Sequence, residues 1–362
     1  MAIKIYDTGQ PWLEQYSFNN ETNGELVWVN TETPMPCHVM QTATLVTNGF
    51  AYTISGNLQN ELDSSGTYIF QAPINTDGTL GTWSEYVHRF PTHYAWGQVC
   101  STGAVCYVMG GHEIGSSQYY SSPIYKTPIL ADGSIGAFST DVLANPLDAE
   151  HISPVLFKGR MIVSGGNYGA SAGLERISCF AVDISQTGEF SGTFSAQANL
   201  PQAQTRHKMF PLGDDLYLIS GTSGGVDLTT IYRAALNESW NITGWIDTGL
   251  TLSGTTEHVV TTGSSVYAFK LDSTVWAAQV VNDELQAFSD VSGNFTALGP
   301  TSTAMFITSS RIFCIYDLLT WWFEKNVISA PFIGGLNNYL DSSYSYLPHF
   351  WTNFSGQTEI IE

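Results

Sequence analysis

Short apolar runs alternate with polar turns along this chain, and the alternation itself recurs. One unit reads Asp77-Gly78-Thr79-Leu80-Gly81-Thr82-Trp83, then Phe90-Pro91-Thr92-His93, then the apolar run Val105-Cys106-Tyr107-Val108-Met109 closed by Gly110-Gly111. The next reads Asp132-Gly133-Ser134-Ile135-Gly136-Ala137-Phe138, then Asn145-Pro146-Leu147 and His151, then Met161-Ile162-Val163-Ser164-Gly165-Gly166. A third runs from Thr187-Gly188 through Leu200-Pro201 and His207 to Leu216-Tyr217-Leu218-Ile219-Ser220-Gly221. No helical period is sustained, and apolar runs of this length between turn residues read as buried strands. A repeat of roughly fifty residues predicts a small antiparallel sheet that cannot bury its faces alone, so that neighbouring units stack.

Each unit reads as four strands. The first begins near a histidine, as in His93–Val99, and the second is the apolar run ending in glycine. The third is an alternating stretch such as Pro123–Ile129; an Asp-Gly turn, a strong hairpin signal, leads to a fourth closed by an aromatic such as Trp83. Later units are degenerate, passing through Trp240, Trp245 and His258, then Asn282-Asp283, Phe288 and Arg311–Tyr316. At the N-terminal end, Tyr16–Phe18 and Asn23–Trp28 read as strands three and four of a unit lacking its first two; residues 302–316 read as the missing pair. Joining these halves predicts an all-β, six-bladed β-propeller over residues 14–317, closed by strands from both termini, or seven-bladed if the C-terminal segment folds into the ring. Closure removes the exposed sheet edge that would template aggregation. A leader over 1–13 and a C-terminal docking or assembly segment over 318–362 flank the ring.

A strand ending Gly-Gly, a tyrosine-bearing strand, a turn and then a tryptophan resemble the kelch repeat. The variant Asp77-Gly78-Thr79-Leu80-Gly81-Thr82-Trp83 is similar to that of prokaryotic and phage kelch-like propellers. The resemblance implies a fold and leaves activity open, because propellers host enzymes, receptors and scaffolds alike.

Charge narrows the partners. Lys+Arg number 12 against 32 Asp+Glu, a formal charge of −20. That excludes phosphate-led nucleic-acid binding and adhesion to an anionic membrane, both of which need a basic face. Charged residues make up only 12% of the chain. Ser, Thr, Asn, Gln and Gly fill the remaining surface, as on extracellular or virion-exposed β-proteins. No run is long enough to span a bilayer, and Met1–Asp7 lacks the apolar core of a signal peptide. Cys37, Cys100, Cys106, Cys179 and Cys314 lack zinc spacing and read as reduced core residues, with Cys100 and Cys106 able to face each other across a hairpin.

Three groups of residues are candidates for chemistry. His38, His93, His151, His207 and His258 recur once per unit in what reads as one register, near the channel mouth, with Glu150 and Glu257 beside two of them. Such a ring suits a metal or anion, but a residue repeated in each unit more often serves the unit as a structural hydrogen-bonding histidine, and no metal or cofactor is expected. The loops Asn57–Thr67, His112–Ser122, Asn167–Glu175 and Thr222–Thr229 are rich in Gly, Ser, Asn and Tyr, which singles out Tyr119, Tyr120, Asn167 and Tyr168 as ligand-contacting candidates. The segment after the ring carries Trp321, Trp322, Phe332, Tyr339, Phe350 and Trp351, an aromatic density that must be buried against the propeller or another subunit.

Enzyme signatures are missing. The six arginines fall in different registers, so a sialidase-like cluster is not expected, and no G-x-S-x-G, H-E-x-x-H or P-loop occurs. The expectation is a non-enzymatic structural and binding component of a virion, a phage tail or capsid appendage. It would recognise a host-surface glycan or protein through the loops and assemble with other virion subunits or copies of itself. The competing expectations are an intracellular, cytoplasmic kelch-like interaction module and a carbohydrate-active or metal-dependent propeller enzyme.

Overall fold

A strand whose every residue is apolar needs cover on both faces. Val105–Met109 is buried at each position, and so is Ser153–Phe157. Alternate side chains go opposite ways. Cys106 and Val108 pack with Leu45, Tyr52 and Tyr86 of the preceding sheet. Tyr107 and Met109 pack with Leu156, Met161 and Val182 of the following one. Further round, Phe157 and Ile162 meet Met209 and Leu216, and Phe210 and Ile219 meet Val259 and Val266. The core is thus a series of apolar layers between successive sheets, the packing that makes a stack of small sheets stable.

The computed structural model describes residues 29–30, 36, 43–54, 68–92, 94–95, 97–113, 123–168, 174–262, 265–270, 274–292, 302–307, 311–316 and 326–331. These form an all-β, propeller-like arrangement with no α-helix among the described residues. Five sheets are four-stranded and antiparallel. The first comprises Ala43–Val46, Phe50–Ile54, Phe70–Pro73 and Ser84–Glu85. The second has Gln98–Ser101, Val105–Met109, Pro123–Pro128 and Ser139–Ala144. The third has Ser153–Phe157, Arg160–Ser164, Cys179–Ile184 and Phe190–Ala196. The fourth has Lys208–Leu212, Asp215–Ile219, Thr230–Leu236 and Ile242–Thr251. The stretch from Thr256 to Asp290 departs from this plan: Val275–Val281 pairs outward with two short pieces, Glu284–Leu285 and Ser289–Asp290, giving a five-stranded sheet. The innermost strands of neighbouring sheets lie side by side, and Ser302–Ile307 lies beside both Thr256–Thr262 and Ala43–Val46.

The sheet containing Ser302–Ile307 and Arg311–Tyr316 corrects the sequence reading. Its third strand is Asn326–Pro331, which lies beyond residue 317, and Val29–Asn30 is its outer strand. Three strands of this sheet therefore come from the C-terminal end of the chain, and a single strand comes from the N-terminal end. The strands expected at 16–18 and 23–28 lie outside the described residues.

The Asp-Gly turns differ from a two-residue hairpin. Asn75 N–H donates to Thr79 O at 2.8 Å and Gly78 N–H to Asn75 O at 2.9 Å, with Gly78 at φ +80°, a three-residue loop with a glycine bulge. Asp77 Oδ1 accepts from Thr79 N–H at 3.0 Å and Thr79 Oγ1 at 2.6 Å; Asp132 holds Ser134 in the same way. The turn also latches onto the preceding sheet. Thr47 Oγ1 donates to Gly133 O at 2.6 Å, and Tyr52 OH reaches the same oxygen at 3.3 Å. One sheet further on, Tyr107 OH donates to Gly188 O at 3.1 Å. A Cβ on Gly133 would stand 1.8 Å from Asn48 O, so only glycine lets turn and hairpin tip meet. In the fourth sheet Trp240 takes the glycine's place, at φ +58°, and lies edge-on to Phe157 under the Lys158 ammonium.

Cys100 pairs with Tyr107, and Cys106 with Ser101. The two cysteines therefore face opposite sides of the sheet and do not meet across the hairpin. Cys100, Cys106 and Cys179 are free and buried, and burial pushes the Cys179 thiol up to about 12.

Candidate functional site

Beyond the end of the second strand in three of the sheets, the chain pairs briefly with the segment leading into the first. In the second sheet this is Tyr94–Ala95 against His112–Glu113. In the third it is Asn167, bridged to Glu150 on one side and Glu175 on the other. In the fourth it is Thr205 against Thr222, continued as the ribbon Thr222–Ser223 with Val226–Asp227. Three consecutive sheets therefore carry a small cap on one face, built from loops that the sequence marks as ligand-contacting.

Carboxylates at equivalent places in the third and fourth caps tie each one onward. Gly224 N–H donates to Glu175 Oε1 at 2.9 Å, joining the third cap to the fourth. Thr255 Oγ1 donates to Asp227 Oδ1 at 2.7 Å, joining the fourth cap to the fifth sheet. Asn167 serves as the central rung of its cap. Tyr168 is 41% exposed, and the Arg176 guanidinium lies 4.8 Å from its ring centroid. Leu174, Ile177 and Val226 are exposed on these same segments. Tyr119 and Tyr120 lie outside the described residues.

Among the described residues, His151, His207 and His258 do not share a register. The ladders make Ser153, Lys208 and His258 equivalent, since their partners are Ser164, Ile219 and Phe269. His151 thus stands two places before the common position, His207 one before it, and His258 on it. His151 matches Arg206 instead, and both take left-handed backbone, at φ +53° and +57°. The spacing of histidine from the preceding turn suggested one ring because it hides these offsets. His38 and His93 lie outside the described residues. Among the described residues no group of three or more His, Cys, Asp or Glu is arranged to hold a metal ion.

His207 is turned into the seam between the third and fourth sheets. It is 1% exposed, and its Nε2 shares a 2.8 Å hydrogen bond with Ser164 Oγ. A Cβ on Gly165 would stand 2.3 Å from its ring, so glycine at this point makes room for the imidazole. Burial and the Lys208 charge hold its pKa down to about 3, so it is neutral at ordinary pH. Burial also pulls the Lys208 ammonium below its ordinary value; Glu257 opposes this and Arg206 adds to it. The sequence reading missed the cations here. Its one available signal was the run Arg206-His207-Lys208 at the channel end of a first strand, in a chain with few basic residues.

The assembly candidates Trp321, Trp322, Phe332, Tyr339, Phe350 and Trp351 lie outside the described residues. Comparison with known proteins adds no identity: no family model matches the chain, and no curated protein matches it.

Proposed function

We propose that this chain is a non-enzymatic, six-bladed, kelch-like propeller on the surface of a virion, as a phage tail or capsid appendage, and that its capped face binds a host-surface glycan or protein. The observation that carries the reading is the cap. Loops from three consecutive sheets are paired on one face, and Glu175 joins the third cap to the fourth while Asp227 joins the fourth to Thr255, which presents a preorganised surface rather than separate loops. The low charge content and the amide- and hydroxyl-rich surface suit a protein exposed outside cells. The aromatic composition of 318–362 suits docking on another subunit or copy.

The test uses the labelled full-length chain on an array of immobilised neutral and acidic saccharides and on intact cells, with antibody labelling of purified particles. Saccharide or cell binding lost on substituting Tyr168 by Ala, together with labelled particles, supports the reading. Failure to bind saccharides or cells, with capture instead of a cytosolic protein partner, would replace it with the intracellular interaction module. Turnover of a saccharide substrate would replace it with an enzyme.

A further inference from the structure

Among the described residues, several cations are neutralised by carboxylates. Arg89 pairs with Glu85, Lys126 with Asp141 and Glu189, Lys158 with Asp214, Arg160 with Asp183, and Arg233 with Asp215. Among the described residues, Arg176, Arg206 and Lys208 make no such pair; Arg176 lies on the third sheet's cap, Arg206 on the segment entering the fourth sheet, and Lys208 begins that sheet's first strand, under the influence of Glu257. The backbone ties Arg176 to the segment that precedes Arg206: Gln204 N–H donates to Arg176 O at 3.0 Å, and Gly166 N–H donates to Gln204 O at 3.0 Å.

The same seam collects buried polar atoms without hydrogen-bond partners. They are Arg176 Nε, Gln204 Nε2, Thr205 Oγ1 and His207 Nδ1. Gln204 is 3% exposed and Thr205 7%. Arg176 Nε and Gln204 Nε2 can only donate, the Thr205 hydroxyl can donate or accept, and His207 Nδ1 does one or the other with the tautomer. A buried donor without an acceptor is costly. The neighbouring carboxylates do not relieve it. Glu175 is engaged by Gly224 N–H, and Glu257 acts on Lys208 without reaching salt-bridge distance. What the seam lacks is an oxygen-rich anion.

Resting on the binding role proposed above, we propose that this seam is the subsite for the carboxylate of an acidic sugar. Arg176 is the group placed to take the carboxylate, whose geometry suits a guanidinium. Gln204 and Thr205 supply donors, and the charge of Arg206, which follows them in the chain, adds positive potential. The exposed Tyr168 ring, already flanked by Arg176, offers a stacking surface for the saccharide.

The experiment is calorimetric titration of the full-length chain with methyl glucuronide and with methyl glucoside, which share a ring and differ in the carboxylate. The glucuronide is expected to bind at least tenfold tighter, with affinity falling as salt rises. Arg176→Gln abolishes that preference, Gln204→Leu weakens it severalfold, and Arg233→Gln leaves it unchanged. Thermal unfolding confirms that each variant is folded, and Gln204→Leu carries the test should Arg176→Gln fail to fold. Equal or undetectable binding of both sugars, or a preference that survives Arg176→Gln or Gln204→Leu, overturns the subsite. The two proposals separate on the array. Cell or neutral-saccharide binding that persists in Arg176→Gln leaves the surface role standing and removes this site, whereas loss of all saccharide and cell binding in the unmodified chain removes both.

Discussion

His207 shows how one residue links burial to solution behaviour. Its ordinary pKa of 6.5 falls to about 3 in the fold, so the unfolded chain takes up a proton that the folded chain refuses. Its contribution to stability is complete above pH 6.5 and drains away as pH falls from 6.5 towards 3. The slope approaches about 1.4 kcal/mol per pH unit. The equivalent residue one sheet earlier is Ile152, whose side chain would meet a Cβ on Gly110 as His207 would meet one on Gly165. His207→Ile is therefore expected to keep the fold and to flatten the stability profile by one proton between pH 6.5 and 5, read from urea unfolding at a series of pH values. Glycines give a second contrast. Gly133 and Gly192 both have left-handed backbone, but a Cβ on Gly133 strikes Asn48 O whereas one on Gly192 meets nothing within 4 Å. Gly192→Ala should cost about 1 kcal/mol of backbone strain. Gly133→Ala should cost several times more, because turn and hairpin tip must separate. Denaturant midpoints compare the two directly.

Strand types were legible where chemistry and burial agree. Val105–Met109 and Met161–Ser164 read as buried strands because an uninterrupted apolar run has no other use between turns. Registers were harder to read. Nothing in the local pattern distinguishes His151, two places before the ladder, from His258, on it; offsets of that kind follow from how each connecting loop crosses the cap. The seam behind Arg176 was invisible for the same reason, since residues 176 and 204 come together only through backbone hydrogen bonds between loops. Lys126 tests the bonding between sheets. It lies 3.0 Å from Asp141, whose side chain is 3% exposed, and 2.6 Å from Glu189 in the next sheet. Lys126→Met strands the Asp141 carboxylate in a buried site and should cost about 3 kcal/mol. Lys158→Met, facing an Asp214 side chain that is 80% exposed, should cost less than about 1 kcal/mol through its ion pair. A difference near zero between these two pairs would show that the Lys126 contact is not a stabilising link.

Over the whole molecule, the propeller-like arrangement was legible because a repeat announces itself. The division of the closing sheet was not, because Asn326–Pro331 carries no copy of the repeat that would mark it as a strand. Its place alters how the tail is to be tested. A chain ending at Asp317 loses a strand paired along Arg311–Tyr316, and is expected to unfold at a lower temperature than one ending at Pro331. Equal melting temperatures would mean that the strand contributes nothing to the ring. Only the longer truncation isolates residues 332–362, and light scattering on it reports whether those residues set the oligomeric state.

The latch between consecutive sheets has a direction. The turn around Gly133 reaches back to the Thr47 tip, and the turn around Gly188 to the Thr102 tip, so both of these latches point the same way round. Such a joint is heterologous, with a plug on one side and a socket on the other. A complete circle leaves none unfilled. A fragment bearing a few consecutive sheets keeps one bare plug and one bare socket, and such fragments should concatenate into open polymers whose length rises with concentration. In this molecule, then, the ring is what keeps a self-complementary thread from growing.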